Sequence, residues 1–444
     1  MDAADVIPPI GCEKNEGPMQ SSVSMRAQIG TLIIATSVIQ LANGFFGTFI
    51  SLRVATEDFG ATLSGLVLSS YFAGFTLGAL RCGRIIERVG HIRAYAAFAG
   101  LVVAATAAMP LHIGPLSWFV LRAIVGFGCV GVFVTTESWL NAKAQPSERG
   151  RVFSIYMVGT FIALAVGQLL IGWVAMEGAG PFNAIVALFA IALVMVSTTR
   201  AEAPRQIPTP KLHYGELSRA APVAVVGCAV NGLITSAFYA LVPAWMQDKG
   251  IERGNIALFM LCAVLGGLAF QVPVGRLSDR FDRRLVLAAL GIGFAGIAIA
   301  LVRLPRTPSI VLPAAALLGG FMSTFYPVCV ANAHDRMPAD RVVAVSGQLI
   351  LISGIGSVVG PLIGTNIMAS SGIDGLFYFM TGAALLLTMV AVGGSVIKAS
   401  PMHLRRSFEI LAPQAAPLSH DSLGPCDDLP ENSIGAISDE RGSA

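Results

Sequence analysis

Charge is scarce in this 444-residue chain: Asp, Glu, Lys and Arg together make up 12% of it, against about 25% in an ordinary soluble domain. With 55% hydrophobic residues beside that 12%, there is too little polar surface to cover a water-soluble globule. The net charge is only +3, and the basic residues stand in short segments beside apolar runs, so nucleic acid is excluded as a partner. The first 25 residues hold no apolar stretch ahead of a small-residue cleavage site, and no signal peptide is expected. Cysteine is sparse and scattered. Cys82, Cys129, Cys228, Cys262 and Cys329 lie in or beside apolar runs, with no CxxC and no His/Cys cluster at ligand spacing, so neither a disulfide framework nor a metal site is expected. Nucleophile–base pairs and phosphate loops are missing as well. Gly354-Ile-Gly356-Ser-Val-Val-Gly360 imitates a dinucleotide fingerprint, but no strand precedes it and it lies inside an apolar run, where small residues serve helix packing. Neither an enzyme nor a cofactor is expected.

Long apolar runs are what the chain does have. A membrane-spanning helix needs about 20 mainly apolar residues, and twelve runs qualify: 28–52, 62–80, 93–112, 116–142, 152–175, 182–199, 221–245, 254–274, 284–303, 308–333, 341–368 and 375–397. The fold class expected is therefore an all-α polytopic membrane protein of twelve transmembrane helices. Residues 1–25 and 399–444 are polar and aperiodic and are expected to be disordered tails. The segment 200–220, with Pro204, Pro208 and Pro210, divides the rest into halves of six helices, 26–199 and 221–398. Taking the N-terminus as cytoplasmic puts seventeen Lys and Arg in the inner connections and five (Arg53, Lys249, Arg253, Arg303 and Arg306) in the outer ones. Cytoplasmic loops carry the excess of positive charge, so both termini are expected inside.

The halves echo one another. Gly83-Arg-Ile-Ile-Glu87-Arg88-Val-Gly90-His-Ile-Arg93 is a charged connection after the second apolar run, and Gly275-Arg-Leu-Ser-Asp279-Arg280-Phe-Asp-Arg-Arg284 occupies the same place in the second half. Asn43-Gly44 is answered by Asn231-Gly232, Pro146-Ser-Glu-Arg149 by Pro338-Ala-Asp-Arg341, and Gly167 and Gly172 by Gly360 and Gly364. Such internal repeats are the mark of secondary transporters, whose solute site lies between pseudo-symmetric halves.

On these residues the chain resembles the major facilitator superfamily. Glu87 stands where the family's first loop motif has Asp, and Asp282 replaces its second glycine in the later copy. Arg122 followed by Gly126 and Gly128 resembles the family's arginine motif in helix 4, and Glu137 before Glu148-Arg149-Gly150-Arg151 its acid and Arg-Gly pair. Ser69-Ser-Tyr71-Phe-Ala-Gly74, Gly126-Phe-Gly128-Cys129 and Glu137-Ser138 are further similar to the branch of YcaD-type bacterial permeases. The resemblance implies a twelve-helix transporter of a bacterial inner membrane, acting by alternating access, with proton coupling as a property of the family.

Two sets of candidate residues follow. Gly83, Glu87, Arg88, Gly90, Arg93, Glu137, Arg149, Arg151, Gly275, Asp279, Arg280 and Arg284 are candidates for a gate, because a rocking transporter needs charge-assisted contacts that break and re-form. Asn43, Phe46, Arg122, Gln168, Asn231, Phe238, Tyr239, Tyr326, Asn332 and Gln348 are candidates for a solute cavity at mid-membrane. Ionisable residues inside spans default to functional candidates. For Arg122, coupling to protonation, contact with an anionic solute and a tie to backbone carbonyls all stand open; for Glu137, a latch and a proton site do. The partners expected are a small-molecule substrate, the lipid bilayer and a coupling proton, with the chain a monomer. Amides and aromatics with few charges suit a neutral or weakly anionic solute, with riboflavin-type vitamins suggested by the resemblance. Export of amphipathic compounds and a non-transporting solute sensor are the alternatives.

Overall fold

A computed structural model describes residues 18–57, 59–145, 147–198, 214–337 and 341–397. Residues 1–17 of the first predicted tail, the whole of the second, residues 200–213 of the linker, and Pro146 and Pro338–Asp340 of the loop echo lie outside the described residues; residues 18–25, expected to be disordered, instead form the first turns of α1, because polar residues end an apolar run without ending a helix. Among the described residues there is no strand, and twelve helices are long and apolar enough to cross a membrane. They are α1 (Pro18–Thr56), α2 (Ala61–Val89), α3 (His91–Ala108), α4 (Pro115–Lys143), α5 (Arg149–Leu169), α6 (Gly180–Ser197), α7 (Pro222–Asp248), α8 (Arg253–Arg280), α9 (Arg283–Arg303), α10 (Pro308–His334), α11 (Val342–Ser371) and α12 (Gly375–Ile397). A short helix, Tyr214–Ala220, leads into α7.

The two charged connections are not loops. α2 continues through Gly83, Glu87 and Arg88 to Val89, and α8 continues to Arg280. Arg, Glu and Leu are good helix formers, so nothing ends α2 before Gly90. At 1.5 Å per residue α2 is about 44 Å long against a hydrocarbon core of about 30 Å, which carries its charged last turns beyond the apolar layer. Gly90 stops it with φ +82°, a conformation that favours glycine. The second copy dispenses with glycine. Phe281 and Asp282 keep negative φ, and Asp282 caps α9 by accepting a hydrogen bond from the Arg284 N–H at 2.8 Å.

The halves are built alike. Within the first, α2 packs on α4, α1 on α5 and α6, and α3 on α4 and α6. The second repeats every pairing six helices later, with α8 on α10, α7 on α11 and α12, and α9 on α10 and α12. The closest crossings match residue for residue. A Cβ on Gly74 would lie 1.8 Å from the Ala123 carbonyl oxygen and one on Gly126 1.9 Å from that of Tyr71. In α8 and α10 the same construction sets Gly266 at 2.0 Å from the Ala316 oxygen and Gly319 at 1.8 Å from that of Ala263. Between apolar helices in lipid there is no hydrophobic drive, and close backbone approach at small residues supplies the packing instead.

The ends of the bundle differ. One carries the α2–α3, α4–α5, α8–α9 and α10–α11 connections and is called the basic end below. At the opposite end, Asp374, in the α11–α12 turn, accepts from Trp245 Nε1 at 2.8 Å and Lys249 Nζ at 3.0 Å. Burial raises the Asp374 carboxyl, but the hydrogen bonds from Trp245 and Lys249 and the charges of Lys249 and Arg306 outweigh it and hold it below the usual carboxylate range. A carboxyl depressed by folding contributes stability that is fully present above its unfolded value of about 3.9 and is lost as pH falls through the folded value. Asp374→Asn is therefore expected to cost about 1 kcal/mol at neutral pH, and the wild-type and variant unfolding temperatures to converge below about pH 4. Thermal unfolding in detergent across pH 3 to 7 checks this.

Candidate functional site: a polar cleft between the halves

The halves meet through α2 with α11, α5 with α8 and α1 with α7, whereas α4 and α10 make no substantial contact. The named contacts lie at mid-length or at the end opposite the basic one. Thr62 donates to Asn366 Oδ1 at 2.9 Å. Gly65 faces Thr365 and Leu362, Gly172 faces Gly254, and Gly354 faces Thr76.

Gly44 lets α1 lie directly on α5, where an added Cβ would meet the Leu164 carbonyl oxygen at 2.3 Å, and Gly232 does the same for α7 on α11 at the Ser353 oxygen, 2.0 Å. Each glycine thereby fixes the asparagine before it. Asn43 is buried and donates to Gln40 Oε1 at 3.4 Å, while its Oδ1 accepts from the Tyr71 hydroxyl at 3.4 Å. Arg122 completes the cluster. Its Cζ stands 5.0 Å from the Phe46 ring centroid and 4.7 Å from that of Tyr71, and the residue is 5% exposed. Asn43, Phe46 and Arg122 are thus brought together from α1 and α4. Tyr71 of α2 and Gln40 of α1 join them without having been singled out as site residues. A sequence signal existed for Gln40, one helical turn before Asn43; nothing local marks Tyr71 as facing Arg122.

The other cavity candidates are spread more widely. Asn231 is buried and accepts from Thr235 at 3.4 Å. Gln168 accepts from Thr48 of α1 and holds α1 to α5. Phe238 is fully buried against Tyr239 and Phe259. The Tyr239 hydroxyl, Asn332 Oδ1 and Gln348 Oε1 are buried with no hydrogen-bond partner among the described residues, and Tyr326 is half-buried in α10.

At the basic end the gate candidates fall into two groups. Glu87, Arg88, Arg93 and Arg151 are exposed, and Gly83 has open space where a Cβ would stand. The second group is packed within its own half. Glu137 is 1% exposed and accepts from the Tyr156 hydroxyl at 3.4 Å. Arg149 donates from Nε to the Ala144 carbonyl at 3.2 Å, and Gly275 and Arg284 are buried; Arg280 belongs with the exposed group. Arg283, absent from the expected gate, is its best-anchored member. It donates to Asp335 Oδ2 from Nε at 2.7 Å and to Ser278 Oγ at 3.2 Å, and lies 3.6 Å from Asp279. Only the fold reveals this, because Asp335 lies 52 residues away at the end of α10.

Twelve apolar helices in two matching halves, with buried polar side chains between them, define a membrane transporter rather than an enzyme. Residues 32–267 and 224–409 match the Major Facilitator Superfamily, and the chain belongs to that family. It is similar to the uncharacterised MFS-type transporter YcaD of Escherichia fergusonii, with 28% identity over 84% of this chain and 97% of that one. YcaD of Shigella flexneri serotype 5b is 29% identical over 81% and 93%. Among solved structures, the nucleoside transporter NupG superposes with a TM-score of 0.65 over 84% of this chain and 100% of that one, at 12% identity. A bacterial homologue of the human lysosomal transporter Spinster gives 0.67 over 88% and 100%, at 17% identity. At such identities these structures share the fold and nothing finer.

Proposed function

We propose that the protein is an uptake permease of a bacterial inner membrane, multi-pass and monomeric, with its basic end and both termini in the cytoplasm. One observation carries the reading: the halves touch at the end away from the basic loops, while Glu87, Arg88 and Gly83 stand in the open. That is the arrangement of an alternating-access transporter whose cleft faces the cytoplasm. Rocking would then bring Glu87 and Arg88 of α2 toward the opposite half, with Asp279 and Arg280 doing the same in α8. Movement of protons with the solute is part of the proposal, and Glu137 is the acid available for it within the spans.

The solute is a small organic molecule with at most one negative charge, a range running from neutral vitamins such as riboflavin to small carboxylic acids. The single guanidinium of Arg122 in the cleft opposes cationic drugs, which favours uptake over drug export. Reconstitution in proteoliposomes tests the reading. Solute counterflow is expected, with accumulation rising when the outside is made more acid; Asp279→Asn is expected to lower turnover about tenfold, a weakening of the closed state by roughly 1.4 kcal/mol. Counterflow indifferent to an imposed pH gradient would remove the proton, and no flux of any solute would remove the permease.

A further inference from the structure

Arg122 is the anomaly of the membrane interior. It is 5% exposed, its Nε has no hydrogen-bond partner among the described residues, and its neighbours offer two ring faces and the Cys129 thiol rather than a carboxylate. The nearest polar groups are already engaged with one another. The Tyr71 hydroxyl donates to Asn43 Oδ1, and the Asn43 amide donates to Gln40 Oε1, so this chain of hydrogen bonds runs away from the guanidinium. The one acid of the same helix, Glu137, lies fifteen residues on, about 22 Å along the axis, and is held at the other end against Tyr156.

The magnitudes do not balance inside the protein. A buried cation without a counter-charge costs several kcal/mol, and a desolvated cation–π contact returns about 2 kcal/mol or less. Two rings orient the guanidinium and screen it from lipid without discharging it. What would discharge it is an anion entering the cleft. The guanidinium presents a planar fork of N–H donors that fits a carboxylate with two parallel hydrogen bonds. In the opposite half, α7, α10 and α11 carry Asn231, Tyr239, Tyr326 and Gln348 and no acid or base away from their ends. One positive charge therefore neutralises one negative charge. A phosphate dianion would leave a net charge in a low-dielectric site, whereas a carboxylate leaves none.

We propose that Arg122, held between Phe46 and Tyr71, is the docking point for the carboxylate of a small organic monoacid, and that the remainder of this solute is uncharged. The proposal rests on the permease reading for where the anion comes from, but its test needs no transport.

The full chain purified in detergent is heated in the presence of benzoate, nicotinate, benzamide, nicotinamide, riboflavin and inorganic phosphate. A ligand that prefers the folded state raises the unfolding temperature by mass action. At least one acid is expected to raise it while its own amide does not. Arg122→Gln is expected to weaken that acid roughly thirtyfold or more, the loss of a charged hydrogen-bonded pair, and Arg122→Lys less, because the charge stays and the fork is lost. If Arg122→Gln does not yield folded protein, Arg122→Lys with a salt titration carries the same comparison.

An amide that stabilises as well as its acid overturns the proposal, as does an acid effect surviving in Arg122→Gln. So does riboflavin or phosphate stabilising where no acid does. Counterflow separates the two readings. Acid binding without flux keeps the site and rejects the permease, whereas flux of a neutral solute untouched by Arg122→Gln keeps the permease and rejects the site.

Discussion

Gly126→Leu is expected to destroy the fold of the first half. A Cβ at this position would stand 1.9 Å from the Tyr71 carbonyl oxygen and 2.9 Å from the Phe75 backbone nitrogen. Both belong to the α2 backbone, so no side chain can rotate aside, and α4 must move away bodily. Moving α4 also breaks the reciprocal contact in which Gly74 sits on the Ala123 carbonyl. Overpacking a well-packed interior costs about 1–3 kcal/mol where side chains can adjust. Here they cannot, and a loss beyond about 4 kcal/mol, in the range that unfolds many proteins, is expected. Monodisperse yield in detergent and the unfolding temperature report it, and Gly319→Leu should behave alike, because α10 meets Ala263 of α8 in the same way. Gly83→Ala is the contrast, with open space around it: its stability should stay within about 0.5 kcal/mol of the parent protein. The crossing also carries the site. Gly126 is one turn beyond Arg122 and its clash partner is Tyr71, so even a surviving Gly126→Ala protein should lose the guanidinium's place over the Tyr71 ring.

How far the sequence alone reaches can be judged from such particulars. Apolar runs gave the twelve spans because a bilayer imposes one length on every crossing. They misplaced the ends of α2 and α8, because charged residues stop an apolar run without stopping a helix. The Asn-Gly pairs pointed to α1 and α7, and the glycines do bring those helices onto α5 and α11. The contacts pair Gly167, against the Leu41 oxygen, with Gly356, against that of Ala229. That is one turn earlier than Gly360, since several glycines in α11 fit the register of the repeat equally well in sequence. Arg122 stood out because a charge in an apolar run is costly wherever it points. Its ring neighbours did not, since whether Tyr71 of α2 faces α4 or lipid depends on the rotation of two helices about their axes, which periodicity of such uniformly apolar segments leaves undetermined. The same holds for Arg283 and Asp335, whose pairing exists only once α9 and α10 are side by side.

Gly65→Leu should act on the balance between conformations rather than on the fold. Gly65 lies near the start of α2, at the end where the halves touch, and its would-be Cβ falls 2.3 Å from Thr365 Oγ1 and 3.1 Å from the Leu362 Cα of α11. The Thr365 hydroxyl is committed to the Pro361 carbonyl at 3.0 Å, and Thr62 and Asn366 close the rim above it at 2.9 Å. Leucine cannot be accommodated while these helices touch. In the alternate state of a rocking transporter this end opens, and the same side chain would stand in a cleft at little cost. A penalty of about 3 kcal/mol confined to one state shifts the equilibrium between the two by roughly a hundredfold. Spin labels at Leu63 and Ser370, both exposed on these two helices, should then report a longer distance in Gly65→Leu than in the parent protein. Counterflow should fall while the unfolding temperature drops far less than in Gly126→Leu. An unchanged label distance accompanied by loss of folded protein would instead make the α2–α11 contact a permanent part of the bundle, and the opening would have to be sought at α5 and α8, where Gly172 meets Gly254.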